Sequence, residues 1–217
     1  MAESMNEIDL VVGSMFNTLP NEDRAAYTEE KEWLSDIQDL LREEGIQVDL
    51  LSRPGVEIWE GGIEHDRDLY NLQRLAASLE NNKSIAEILK EVDSDEIEED
   101  AMITAIMTGT QTTRFPHLIN HQGEGGYYLP ADFVDPLWIE FDSDELGGDD
   151  EEDEDFEGEE PYVCFGSSVA LQRELAMLEP MLVAAGVGLS SAPFRAFKVL
   201  REAASASVAN DLPIIVW

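Results

Sequence analysis

At 217 residues with 43% hydrophobic side chains, the chain has ample material for a core, so a formal charge of −35 is laid over a folding sequence and not over a disordered one. A field of that sign repels phosphates and anionic lipid and so weighs against direct contact with DNA, RNA or membrane surfaces. The opening MAESMNEIDL has no basic start or apolar run of a signal peptide, no stretch reaches the roughly 18–20 apolar residues of a span, and the one cysteine, Cys164, cannot close an internal disulfide; the expectation is a soluble, cytoplasmic protein.

Residues 8–16, IDLVVGSMF, read as a strand or strand-turn. The segment 21–44 follows Pro20, carries Tyr27, Trp33, Leu34, Ile37, Leu40 and Leu41 at helical spacing and stops at Gly45, which predicts an amphipathic helix with a mostly acidic outer face. Two extended pieces, 46–51 and 56–59, flank Arg53-Pro54-Gly55 and suggest a hairpin, with Gly61-Gly62 breaking the chain after them. Residues 66–80 repeat the helical pattern through Leu69, Leu72, Leu75, Ala76 and Leu79. Residues 84–107 do so again around a polar break, and predict a surface helix pair.

From residue 108 to 141 the chain turns to Thr, Gly, Pro and aromatic residues, which suits short strands and turns, with prolines at 116, 130 and 136 keeping any strand short or at an edge. Residues 162–165 read as a strand running into Gly166-Ser167-Ser168, followed by a helix through Leu171, Leu175, Leu178 and Leu182 that Pro180 should kink or restart. Ser191 is positioned to cap a last helix, and LPIIVW closes as a buried strand. The order predicts a mixed α/β domain, with α+β as the alternative, in which a mixed sheet is packed by several helices. One domain spans 1–217, and 142–160 is a flexible acidic insertion within it.

The charge is unevenly placed. Between 140 and 160, fourteen of twenty-one residues are acidic and none is basic; residues 1–114 carry twenty-seven acidic and nine basic side chains, and residues 173–217 carry four of each. The consecutive carboxylates Asp149, Asp150, Glu151, Glu152, Asp153, Glu154 and Asp155 lack the spacing of a calcium loop. They serve either as a solubilising insertion or as a docking surface for a basic partner, including one whose normal ligand is nucleic acid.

His117 and His121, with Glu124 beyond, are the candidate metal ligands, set against the simpler reading of turn histidines bonded to backbone. The Gly166-Ser167-Ser168 turn could bind an anion but lacks the P-loop lysine and the G-x-S-x-G elbow, and Ser168 reads more simply as a helix cap. Cys164 reads as a small core residue. Tyr127 and Tyr128, with nearby Phe133 and Trp138, could form a partner contact or a core wedge.

The segments HLINHQGEGGYYLPADF and GSSVALQRELAML resemble a pattern in uncharacterised bacterial proteins, and the acidity and size are similar to those of bacterial immunity proteins that neutralise toxins. The resemblance implies a bacterial source and no catalytic residues. The leading expectation is a non-enzymatic module of the immunity or inhibitor type that binds a protein partner, possibly basic, through a negative surface, without cofactor, nucleic acid or membrane. A small metal-dependent or anion-binding enzyme and a halophile-type housekeeping protein are the alternatives.

Overall fold

Apolar side chains occupy alternate positions from Ile8 to Val12, and there the chain forms strand β1 (Ile8–Gly13), with Ile8, Leu10 and Val12 buried on one side. The computed structural model describes residues 7–19, 21, 23–92, 99–121, 125–140 and 162–217. Helix α1 (Arg24–Glu43) starts where the Asp23 carboxylate accepts the Ala25 and Ala26 N–H groups, and buries Leu34, Ile37 and Leu41. The chain then crosses to β2 (Glu57–Ile63) and helix α2 (Asp66–Glu80), and two short helices follow, α3 (Ile88–Glu91) and α4 (Ala101–Met107).

One turn of helix, α5 (Pro116–Ile119), leads to β3 (Gly126–Leu129) and β4 (Leu137–Glu140). Strand β5 (Tyr162–Ser167), helices α6 (Ser168–Ala184) and α7 (Ala192–Asn210) and strand β6 (Ile214–Val216) complete the order. The six strands form one sheet in the order β2-β1-β6-β3-β5-β4, in which β3 and β5 are parallel and every other neighbouring pair is antiparallel. This is the mixed α/β architecture expected.

Two apolar clusters flank the sheet. Helices α2, α6 and α7 cover one face through Leu72, Leu75, Leu171, Leu175, Phe197 and Leu200, on which Leu10, Val12 and Ile214 sit. Helix α1 covers the other face only over β3, β5 and β4, where Leu34, Ile37 and Leu41 meet Leu129 and Phe165, with Leu137, Ile139 and Val163 beside them. That asymmetry leaves the β2-β1-β6 half without a helix on the α1 side among the described residues.

Several local expectations are corrected. Residues 46–51 form no strand, and β2 pairs with β1 in place of a hairpin partner. Gly61 and Gly62 lie inside β2: the Trp59 ring lies 2.5 Å from where a Gly61 Cβ would stand, so the glycine makes room for the indole rather than ending the strand. Pro116 starts a helical turn, at the first position where its missing N–H costs nothing. Helix α6 passes through Pro180 as one helix, and the carbonyl this frees belongs to exposed Ala176, open to water. The middle of the helix pair at 93–98 and the acidic insertion 142–160 lie outside the described residues.

Gly126 opens β3 at φ +111°, and a Cβ there would stand 2.7 Å from the Cys164 carbonyl oxygen, a main-chain atom of the parallel partner strand. Gly126→Ala therefore combines backbone strain with a steric clash, and is expected to cost about 2–4 kcal/mol, read as a lowered urea midpoint at unchanged m-value.

Candidate functional site

The residues singled out for chemistry converge on one buried junction. Pro116 places His117 in the first turn of α5, where the imidazole is fully buried. Its Nδ1 accepts the Ser167 N–H at 3.0 Å, so Nε2 carries the proton and donates between the Phe133 and Val134 carbonyls, each at 3.1 Å. Both ring nitrogens are thus committed to backbone, and burial holds the imidazole below its usual pKa, with the two carbonyls opposing.

His121 follows α5, stacks on Tyr128 with ring centroids 3.9 Å apart and has Nε2 3.2 Å from the Tyr127 carbonyl. Glu124, the third member of the expected metal set, lies outside the described residues, and among the described residues no group of three His, Cys, Asp or Glu is arranged to hold a metal ion. The His117 lone pair that would ligate a metal is already taken by Ser167.

The serine turn is equally closed. Ser167, not Ser168, caps α6, its Oγ accepting the Ala170 N–H at 2.9 Å and donating to the Ala131 carbonyl. Ser168 donates to the Leu129 carbonyl at 3.1 Å, and its Oγ lies 2.8 Å from Ser207 Oγ. Both serines are fully buried, so the turn presents nothing to an anion in solution. Tyr128 is buried too, its hydroxyl donating to the His117 carbonyl, and burial pushes its pKa well above 10; its side chain belongs to the core wedge and not to a partner contact. Tyr127 is half-buried and stacked on Phe165, and Cys164 is buried as expected.

Glu174, which the sequence reading passed over, completes the junction. It lies on α6 with 4% of its surface exposed, and its carboxylate accepts the His117 and Leu118 N–H groups at 3.0 and 2.9 Å, satisfying the free donors at the start of α5. Burial pushes its pKa up to about 8, against the pull of those two donors and of the Arg173 guanidinium. Its only sequence signal is a charge on the apolar side of α6, one residue before Leu175.

The surface is organised differently. On α1 the carboxylates of Glu29, Glu32, Asp36, Asp39 and Glu43 recur at steps of three and four residues, all exposed and opposite the buried Leu34, Ile37 and Leu41. Among the described residues only Asp39 of these is ion-paired, to Arg42, while Glu30 turns back to accept the Asn17 and Thr18 N–H groups. Elsewhere Arg114 pairs with Glu80, Arg173 with Asp132, Arg195 with Glu64 and Arg201 with Glu179, while Arg74 reaches both Glu91 and Asp100. The expected partner residues Asp149, Asp150, Glu151, Glu152, Asp153, Glu154 and Asp155 lie outside the described residues.

With its polar junction closed off inside and a row of carboxylates exposed on α1, the chain is an acidic protein of mixed α/β architecture. No described helix is long and apolar enough to cross a membrane. The family model described as "Putative DNA-mimic protein" matches residues 6–216, and the chain belongs to that family. No match is found among curated proteins, and none among solved structures. Family membership overturns the immunity- or inhibitor-like function and keeps its coarser part, binding to another protein. It also corrects the partner: composition set aside direct contact with nucleic acid and left a basic protein partner of unspecified kind, whereas the family is described as mimicking DNA, which implies proteins that bind DNA.

The Glu174 shift has a measurable consequence. Its folded pKa lies above the ordinary value of 4.5, so its contribution to stability is fully present below that value and is lost as pH rises through about 8. Urea melts of wild type and Glu174→Gln are expected to show wild-type stability declining relative to the variant from about pH 5 to pH 8, the variant carrying a pH-independent offset from its mismatched amide. Parallel pH profiles would remove the titration from this site.

Proposed function

We propose that this protein is a DNA mimic that occupies the DNA-binding surface of a DNA-binding protein, its carboxylates standing where phosphates would. The observation that carries the reading is the α1 row. From Glu29 to Glu43 the helix rises about 21 Å, so five carboxylates follow one another at about 5 Å, against one phosphate per roughly 3.4 Å along each strand of duplex DNA. A surface built to bind phosphates meets similar sign, spacing and straightness on this helix. The β1–β2 carboxylates Asp9, Glu57 and Glu60, also exposed, extend the field beyond the helix. The cytoplasm is the compartment this role requires in a bacterium, and the single cysteine accords with it.

The test is capture from a lysate of the source cells on the immobilised protein, followed by elution with duplex DNA or with polyglutamate of equal charge. Captured DNA-binding proteins released by duplex DNA support the reading; a captured set that duplex DNA leaves in place would sink it. For any partner so found, Glu32→Lys with Asp36→Lys is expected to weaken binding at least about tenfold at near-physiological salt, while Glu202→Lys, an exposed change on α7, leaves it within about twofold. Titration by fluorescence anisotropy reads both, with circular dichroism confirming the fold.

A further inference from the structure

We infer that the uncovered half of the sheet, formed by β2, β1 and β6 on the α1 side, is a seat for a basic amphipathic helix of the partner. The inference rests on the DNA-mimic reading and names what that surface grips. Alternation sends Ile8, Leu10, Val12, Ile214 and Val216 under α2 and α7, so Asp9, Val11, Ile58, Glu60, Ile215 and Trp217 face the other way. Trp217 and Ile58 remain 63% and 43% exposed there, while Val11 is half-buried and Ile215, on the β6 side, is buried at 4%, so the open apolar groups are those on β2 and at the end of β6. Large apolar groups left open on a sheet face, bordered by charge, mark an interaction surface.

Register and spacing set the shape. Trp217 lies beside Asp9, the two exchanging backbone N–H···O bonds at 3.0 and 3.3 Å, and Asp9 lies beside Gly62; in the next row Ile215, Val11 and Glu60 stand side by side. Three strands at about 4.8 Å make a floor about 10 Å across, and β1 from Asp9 to Gly13 gives it a length of roughly 14 Å. That is the diameter of one helix with its side chains and about two and a half of its turns. Because α1 already covers the other half of this face, the floor is a step in which the second helix of the layer is missing among the described residues.

Charge selects the occupant. Glu7, Asp9, Glu57 and Glu60 are exposed on or beside the floor, and none of the thirteen Lys and Arg residues lies on β1, β2 or β6. Glu7 Oε1 and Asp9 Oδ1 both approach Gly62, 3.3 and 3.4 Å from the point a Cβ would fill, so two carboxylates lie close together at this edge of the floor. A second copy of this chain would bring carboxylates against carboxylates. A helix with an apolar stripe for Val11, Ile58 and Trp217 and Lys or Arg along its flanks satisfies both features, the basic flanks being what DNA-binding proteins direct at phosphates and the stripe the element that duplex DNA would not engage.

The probe is a synthetic helical peptide of about 18 residues with Leu at i, i+3, i+4 and i+7 and Lys or Arg on its flanks, compared with a scramble of the same composition. The amphipathic peptide should bind at least about tenfold tighter than the scramble, with amide shifts in the NMR spectrum concentrated on β1, β2 and β6. Ile58→Ser with Trp217→Ser, both at exposed positions, should bring the two peptides within about twofold while leaving the scramble unchanged. Equal affinity for both peptides in the wild type, shifts centred on α1, or a homodimer dissolved by the double substitution would overturn the inference. A natural partner that duplex DNA displaces but that ignores the double substitution leaves the mimic standing and removes this seat. Peptide discrimination with a partner that DNA does not displace has the reverse meaning.

Discussion

Glu174 is a carboxyl group with 4% exposure, costly to bury without partners, and its contact with the start of α5 is where the sheet, the helices and the 130–136 crossing are tied together. Its two acceptor bonds fix Pro116–Ile119 as a helical turn; the turn aims His117 at Ser167; the His117 ring then reaches the Phe133 and Val134 carbonyls. The same region contains the sheet's one parallel pair, β3 with β5, whose strands cannot be joined by a short hairpin and need a long connection. A polar junction gives that connection an unambiguous landing point, since a slip would leave a carboxylate, an imidazole and two serines without partners.

The same protein keeps almost all its other carboxylates on the outside, and there the balance is reversed. Forty-eight acidic against thirteen basic side chains cannot be neutralised pairwise, so the self-repulsion is carried by the fold and offset by two apolar clusters. Arginine is used sparingly: Arg74 bridges Glu91 and Asp100 between helices, Arg195 ties α7 to Glu64, and Arg173 ties α6 to Asp132. Each joins elements far apart in the chain. Among the described residues the α1 row and the β1–β2 carboxylates receive almost none of this relief, which leaves unneutralised negative charge beside the face of the sheet that α1 covers only in part.

Most of the helices were legible because their determinants are local. Helices α1 and α2 show apolar periodicity with recognisable ends, and α2 occupies the expected residues. What was hidden depends on contacts across the chain. Gly61-Gly62 looks like a break until β1 pairs beside it and the Trp59 ring needs the space. Ser167 and Ser168 are equivalent as caps in sequence; the His117 ring, fifty residues away, distinguishes them. Glu174 was not singled out, because the groups that bury it come from α5, fifty-seven residues upstream. The backbone partners of His117, Ser167 and Ser168 are hidden for the same reason, since sequence spacing does not show them.

Function was legible only down to its sign. Composition alone points to a surface that attracts cationic proteins, and a toxin's inhibitor and a DNA mimic meet that description equally well. What separates them is arrangement. An inhibitor needs one complementary patch against one target, whereas a mimic needs charges repeated at near-regular intervals along a straight element, which a helix provides whenever carboxylates fall at steps of three and four. The α1 sequence satisfies this while its inner face still packs on Leu129 and Phe165. A helix that is apolar on one side and evenly anionic on the other therefore serves stability and imitation without compromise, and the uncovered strands beside it add what a charged rod lacks, a shaped floor that distinguishes one basic helix from another.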